Sequence, residues 1–330
     1  MTDRIDQMKT WLNSLGYADY DLSVASEDAS FRRYFRLKQG DASWIVMDAP
    51  PQQESCDAYV KVARKLTGAR LNAPEIMHEN HDDGFLVISD FGDESYLQAL
   101  KQENANSLYG DAMAAILRMQ TRIDTADLPP YDEELLRLEM GLFKEWFLEN
   151  LLEIDMTPNQ KGMWQMTTDA LVKSALEQPQ AFVHRDFHSR NLMHLAQGNP
   201  GILDFQDAMN GPVTYDLVSL LRDCYIDWPE PQVDQWVIDF LDFARLEHLQ
   251  GVKTSVFMRW FNLMGVQRHL KAIGIFSRLK LRDGKDGFIK DIPRTLNYLK
   301  IIGTNEMSMV GLYQLINELS LGFRIKSLLR

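Results

Sequence analysis

The hydrophobic period changes along this chain. Over residues 3–15, Ile5, Met8, Trp11, Leu12 and Leu15 share one helical face. Residues 31–48 alternate instead. FRRYFRL and SWIVMD read as two strands joined by Gln39-Gly40-Asp41, and Pro50-Pro51 ends the hairpin. Tyr59, Val62, Ala63 and Leu66 restore helical spacing and predict a helix over 53–68. Strands follow at Pro74-Glu75-Ile76-Met77 and at Gly84–Ile88, the second punctuated by Ser89-Asp90-Phe91-Gly92-Asp93. From residue 94 the pattern turns helical, with helices expected over 94–103, 105–124, 132–152 and 157–178. Ala181-Phe182-Val183 and Gly201-Ile202-Leu203 interrupt it as short strands. After Pro212 helices run onward, with breaks near Trp228-Pro229, Gly251, Gly284 and Pro293. Strands first and helices afterwards define an α+β class. The expected division is a small β-rich part, residues 1–92, and a larger, mostly helical part, 93–330.

Composition narrows the function classes. The 330 residues are 45% hydrophobic and 25% charged, enough for a large core without staples. Two cysteines, Cys56 and Cys224, exclude a disulfide framework or a Cys-rich zinc site. No run of about 18 apolar residues is present, so no membrane span is expected. The first residues carry acids and lack a signal peptide's apolar region, so a cytoplasmic protein is expected. A net charge of −12 argues against nucleic acid as a main partner. The charge is uneven. Residues 1–252 hold 21 basic against 42 acidic side chains, and residues 253–330 hold 14 against 5. The basic C-terminal part is either a solvated surface or a face toward an anionic ligand.

The candidate chemistry sits at His184-Arg185-Asp186-Phe187-His188-Ser189-Arg190-Asn191. This matches H-R-D-x-x-x-x-N, in which the Asp meets the acceptor hydroxyl and the Asn ligates a metal on the nucleotide phosphates. Asp204 follows in Ile202-Leu203-Asp204-Phe205 and supplies a second hard oxygen ligand. Each Asp comes just after a short apolar strand. Asp186 is therefore the candidate catalytic residue, Asn191 and Asp204 the candidate Mg²⁺ ligands, and ATP the expected phosphoryl donor. Asp90-Phe91-Gly92 spells a kinase metal motif but precedes the catalytic loop. It reads as the hinge, where backbone groups near Ser89 and Phe91 meet an adenine edge.

These motifs resemble the aminoglycoside phosphotransferase/choline kinase-like family over about residues 25–220. The resemblance implies a protein-kinase-like two-lobe fold, with nucleotide binding in 1–92 and the catalytic loop, metal site and sugar pocket in 93–330. Asp216, in Gly211-Pro212-Val213-Thr214-Tyr215-Asp216, matches a family position read as anchoring the catalytic loop. Ser30–Arg36, Val46–Pro51 and Gln267–Lys271 resemble the anomeric kinases of bacterial cell-wall sugar recycling. Those enzymes phosphorylate N-acetylmuramate and N-acetylglucosamine. The resemblance implies a small-molecule sugar substrate, no membrane partner and a monomer.

The chain departs from the family in two places. The phosphate-binding loop, Ser26-Glu27-Asp28-Ala29-Ser30, has no glycine, so Ala29 and Ser30 take that part and Arg32 and Arg33 stand beside them. The third strand, Trp44–Asp48, has Met47 where kinases carry a Lys. On the acceptor side, Arg222, Tyr225, Arg259, Asn262 and His269 are candidates, the last three sharing roughly one helical face if the helix is unbroken at Gly265. Trp228 and Trp260 are stacking candidates or core. The missing Lys keeps open a non-catalytic nucleotide-binding module, and another acceptor of the same family is the second alternative. A protein kinase is disfavoured because no Ala-Pro-Glu follows Asp204.

Overall fold

A computed structural model describes residues 4–17, 19–27, 32–53 and 55–329. The chain clusters into two compact units. Unit 1 comprises Met1–Asp111 and Arg190–Asp207, and unit 2 comprises Ala112–Ser189 and Ala208–Arg330.

Unit 1 is built on an antiparallel sheet of five strands in the order β1-β2-β3-β5-β4. The strands are β1 (Asp21–Glu27), β2 (Arg33–Gln39), β3 (Ala42–Asp48), β4 (Ile76–Asn80) and β5 (Phe85–Ser89). Alternation in β2 turns Phe35 and Leu37 inward, where they join Val46, Phe85 and Val87. Helix α1 (Arg4–Ser14) closes that face with Met8 and Leu12, both fully buried. Helix α2 (Cys56–Gly68) starts at Ser55, whose hydroxyl accepts the Asp57 N–H at 3.0 Å, and buries Tyr59, Val62, Ala63 and Leu66 as its spacing predicts. Helix α3 (Tyr96–Ala99) is much shorter than the expected 94–103. A Ser95/Gln98 capping box fixes its start and the extended backbone of Leu100 ends it.

Unit 2 is mostly helical: α4 (Ala105–Arg122, begun in unit 1), α5 (Glu133–Leu142), α6 (Pro158–Leu176), α7 (Tyr215–Leu221), α8 (Glu230–Glu247), α9 (Thr254–Asp283), α10 (Ile292–Asn305), α11 (Val310–Glu318) and α12 (Leu321–Leu328). The expected helix over 132–152 changes character. Beyond α5 the chain widens into a π-helix, Phe143–Leu151, burying Phe143, Phe147 and Leu148. Helix α9 runs 30 residues without a break at Gly265. A Cβ on Gly274 would meet the Leu142 carbonyl carbon at 2.4 Å, so glycine lets α9 pass close to the end of α5. Pro293 lies in the first turn of α10 rather than ending a helix, because the ring removes only an N–H that has no helical partner there.

Four short strands follow: β6 (Gln180–Val183) and β8 (Gly201–Ile202) fall on the expected 181–183 and 201–203, whereas β7 (Leu192–Met193) and β9 (Met209–Pro212) were not expected. In unit 2, β6 pairs with β9 antiparallel, and in unit 1, β7 pairs with β8. These hairpins bracket the candidate chemistry: β6 ends at Val183, directly before His184, and β8 ends just before Leu203 and Asp204.

Candidate active site

Unit 1 contains a cavity of about 360 Å³ whose lining includes Ser89, Phe91, Arg190, Asn191, Leu203 and Asp204. Arg36, Tyr34 and Ile45 add a wall from β2 and β3. The Asn191 amide donates to Asp204 Oδ2 at 3.1 Å, and the Leu203 N–H donates to the Asn191 carbonyl at 2.9 Å. On the far side of the carboxylate, Gln206 Nε2 donates to Asp204 Oδ1 at 2.8 Å. Gln206 Oε1 is buried and has no partner. Asp204 takes φ 61°, a left-handed conformation costly for a residue with a Cβ and common at functional sites. Amide and carboxylate oxygens are the donors Mg²⁺ prefers. One or two such side chains suffice where phosphates complete the shell, and this is the set that could hold it. Among the described residues no group of three or more His, Cys, Asp and Glu side chains gathers for a metal.

Ser89 and Phe91, expected from the sequence at a hinge, line this cavity. The Ser89 N–H donates to the Glu75 carbonyl at 2.9 Å, and the Ser89 hydroxyl accepts the Glu75 N–H at 2.9 Å. Gly201 leaves room for the Phe91 ring, since a Cβ there would meet Cδ2 at 2.7 Å. Arg36 fixes the turn below. Its Nε donates to Asp90 Oδ2 at 2.6 Å, Nη1 to Asp93 Oδ1 at 2.5 Å and Nη2 to the Gly92 carbonyl at 3.1 Å. Burial raises the Asp90 carboxyl, but Arg36, Ser43 and the Gly92 N–H outweigh it and hold the group below its ordinary range.

The loop of unit 2 is held from beneath. Asp216 Oδ2 accepts the His184 N–H at 2.7 Å and Oδ1 the Arg185 N–H at 3.0 Å. These bonds hold Arg185 at φ 79°, a left-handed conformation otherwise costly for a residue with a side chain. Asp223 Oδ2 accepts the Ser189 N–H at 2.9 Å, and Asp223 Oδ1 accepts the Tyr225 N–H at 2.9 Å. Burial of Asp186 favours its neutral form, but Lys271, His188, Arg268 and Arg185 overcome burial and bring its carboxyl down to about 2. Asp216 behaves oppositely. Burial pushes it up to about 7, against the two N–H bonds.

The cations around Asp186 belong to a buried network. Lys271 Nζ lies 3.0 Å from Glu139 Oε1 and 3.1 Å from the Tyr215 hydroxyl. Arg185 also pairs with Glu139, as does the Tyr131 hydroxyl, to which Gln267 Nε2 donates at 3.0 Å. Sequence reading passed over Glu139, and it met Arg268 and Lys271 within the segment Gln267–Lys271 without placing them beside Asp186. The one available signal was that α9 carries basic residues on turns otherwise filled with apolar ones.

The candidate acceptor residues divide. Arg222 and His269 meet: His269 Nε2 lies 2.9 Å from the Arg222 carbonyl, and its ring stacks on Tyr298. Burial drives His269 down to about 3, so its imidazole is neutral. Arg222 is buried, bonds Glu230 at 3.0 Å and lies over the Phe261 ring, while its Nε and Nη1 have no partner. Tyr225 lies edge-on to His188. Arg259 lies elsewhere and pairs with Glu177 at 3.2 Å, as does the Trp260 indole at 2.8 Å. Asn262 reaches Glu306 at 3.5 Å. In unit 1, Arg33 turns to Asp48 through Nε at 3.0 Å and is not among the cavity residues named above. Arg32 is half-buried and acts electrostatically on Cys56 and Tyr59. Ala29, Ser30 and Glu54 lie outside the described residues.

A carboxylate loop after one short strand and an Asn–Asp pair beside a cavity are the parts an ATP-dependent phosphotransferase of the protein-kinase-like class uses. Comparison with known families matches residues 21–252 to the phosphotransferase enzyme family. The chain belongs to that family. It is 42% identical over 332 residues to the N-acetylmuramate/N-acetylglucosamine kinase of Pseudomonas aeruginosa, covering 97% of this chain and 98% of that protein. It is 43% identical over 320 residues to the Neisseria meningitidis serogroup B protein of the same name, covering 95% of each. Among solved structures, Plasmodium vivax ethanolamine kinase superposes with a TM-score of 0.66 at 11% identity, over 90% of this chain and 87% of that one. That likeness is one of fold. Among the described residues no helix is long and apolar enough to cross a membrane.

Proposed function

We propose that this chain transfers the γ-phosphoryl group of ATP to the anomeric hydroxyl of N-acetylmuramate and N-acetylglucosamine, giving sugar 1-phosphates for peptidoglycan recycling. The observation that carries the acceptor is the likeness, over nearly the full length, to kinases named for these two sugars. Residues 1–92 are assigned to the nucleotide and 93–330 to the catalytic loop, metal ligands and sugar. ATP use and buried free thiols at Cys56 and Cys224 suit a cytoplasmic enzyme, proposed to act as a monomer.

Asp186 accepts the hydrogen bond of the acceptor hydroxyl and orients its oxygen. A carboxyl held to about 2 is a weak base, so its main part is alignment. An anomeric hydroxyl is more acidic than an ordinary alcohol and needs less help. The O1–P bond forms as the bond to the bridging oxygen of ADP breaks, and the hydroxyl proton passes through the Asp186 carboxylate to water. Asn191 and Asp204 would hold Mg²⁺. Bound there, it supplies positive charge to the β- and γ-phosphates. Ser89 and Phe91 hold the adenine, and Arg32, Arg33 and the 29–30 backbone serve the phosphates. On the acceptor side Arg222, Tyr225 and His269 are the strongest candidates. The unpartnered Arg222 nitrogens and the basic C-terminal part suit a sugar carboxylate. Arg259 and Asn262 are weaker, being paired with glutamates.

The test is ADP release with Mg-ATP and N-acetylmuramate, N-acetylglucosamine, choline or kanamycin, with phosphorus NMR locating the phosphate. Turnover of the acetylated sugars to 1-phosphates is expected. In Asp186→Asn, kcat falls about 10²- to 10⁴-fold with ATP affinity little changed. Turnover of choline or kanamycin alone would discard the sugar assignment.

A further inference from the structure

The Asp204 carboxylate is gripped at both oxygens. Asn191 donates to Oδ2 at 3.1 Å, and Gln206 donates through Nε2 to Oδ1 at 2.8 Å. Asn191 and Asp204 line the unit 1 cavity, and Gln206 is not among the residues that do. Gln206 is 7% exposed, and its Oε1 has no hydrogen-bond partner among the described residues. The cause is chemical. An ionised carboxylate only accepts, so the amide must present its nitrogen to Asp204 and turn its oxygen away. A buried acceptor without a partner carries the full cost of its lost hydration, which an apolar side chain of the same size would not. Packing therefore does not account for an amide at this position, whereas the bond to Asp204 does. The kind of donor matters as well. A lysine or arginine there would also donate, but its charge would offset that of the carboxylate and repel a divalent cation. A neutral amide orients the carboxylate and leaves its charge to the metal.

We propose that Gln206 is a positioning residue of the metal site: its neutral hydrogen bond fixes the Asp204 carboxylate for Mg²⁺, while Gln206 itself touches neither metal nor nucleotide. Partners that orient a ligating carboxylate raise metal affinity in this way, because the ligand no longer has to be ordered when the ion arrives. The proposal rests on the reading that Asn191 and Asp204 hold the metal.

The test titrates Mn²⁺, which takes the same oxygen ligands, into the protein with ADP present and reads the free ion by electron paramagnetic resonance. It compares the unaltered protein, Gln206→Met, Gln206→Lys and Asp204→Asn, with adenosine binding measured on each by calorimetry. Gln206→Met keeps the length of the side chain and loses the donor. Its Mn²⁺ affinity is expected to fall about 10- to 100-fold with adenosine binding unchanged, which also shows that the variant is folded. Gln206→Lys restores a donor but adds a charge, and its Mn²⁺ affinity is expected to fall at least as far. An unchanged Mn²⁺ affinity in Gln206→Met would overturn the proposal. So would full affinity in Gln206→Lys, since the neutrality of the donor would then count for nothing. Parallel losses of Mn²⁺ and adenosine binding in both variants would overturn it too, because Gln206 would then support the cavity as a whole. Asp204→Asn binding Mn²⁺ as tightly as the unaltered protein is a separate result. It would remove the metal-ligand reading, and the proposal with it.

Discussion

The Asp48 clamp of unit 1 and the Glu139 network of unit 2 handle charge in opposite ways. In the clamp the ion pairs are open on one side. Asp48 is buried, but its partners Arg4 and Arg33 remain 28% and 45% exposed at the side chain. Asp90 is nearly buried and is paired with Arg36 at the wall of an open cavity. In the unit 2 network around Glu139 the charges are sealed. Glu139 and Lys271 are 6% and 9% exposed, and Arg185 joins them at 17%. A solvent-facing clamp contributes little to stability and is easily rearranged. A sealed network is costly to assemble and rigid once satisfied. It suits Asp186, the carboxylate proposed to meet the acceptor hydroxyl. The lesson is that the same residue types form a loose clamp in one unit and a fixed electrostatic setting in the other.

The largest effect should come from opening the sealed network. Lys271→Met removes the cation with the strongest lowering effect on Asp186 and one partner of Glu139. Breaking a buried pair costs about 3–5 kcal/mol, reduced here because Arg185 stays on Glu139. Urea unfolding reads this loss. Asp186 also moves up from about 2 toward the usual carboxylate range, so the acid limb of the pH–rate profile shifts to higher pH. A destabilised variant with an unmoved acid limb would show that Lys271 is a scaffold residue with no hold on Asp186.

Asp216 gives the next effect and has a definite sign. Its folded carboxyl lies near 7, above the unfolded value of about 3.9, so the folded state holds the proton more tightly. Its contribution to stability is complete below about pH 4 and is lost as pH rises through 7. Asp186 has the reverse sign. Its contribution is present above about pH 4 and falls away toward pH 2. Asp216→Asn should flatten the stability slope between pH 4 and 7. It should also destabilise above pH 7, where Asp216 is ionised, because an amide offers one oxygen in place of the two that accept the His184 and Arg185 N–H groups. Urea midpoints across that range and above it measure both. A slope equal to that of the unaltered protein would remove the assignment to Asp216.

The sequence made the sheet-bearing part legible because alternation in β2 and β3 and the run in β5 are strong period-2 signals. The long helices were equally clear. The candidate chemistry was legible because it is local: Asp186 and Asn191 lie on one loop, and Asp204 one hairpin later. What could not be read is what depends on distant partners. Arg259, Asn262 and His269 looked alike along α9, yet Glu177 on one side and Arg222 on the other draw them into different surroundings. Arg33 looked like a phosphate ligand because nothing in its neighbourhood revealed Asp48 across the hairpin. The π-helix after Leu142 and the four-residue β9 carry too few residues to show a period of their own.

The smallest effect tests the exposed half of the comparison. Arg33→Gln leaves Asp48 with Arg4, whose Nε and Nη2 donate to Oδ1 at 2.9 and 2.5 Å. Arg33 is 45% exposed, so solvent screens its pair, and removing it should cost less than about 1 kcal/mol. ATP affinity should change less than twofold if the side chain serves only β2–β3 pairing, and about tenfold or more if it leaves Asp48 for phosphate in the bound state. The two measurements separate cleanly. A small stability loss with unchanged ATP binding makes Arg33 a clamp. An equally small stability loss with weakened ATP binding shows that the open pair is a reserve cation, released when the anionic tail arrives. A loss as large as that of Lys271→Met would erase the distinction between the open clamp and the sealed network, because it would mean that solvent exposure at Arg33 does not weaken the pair.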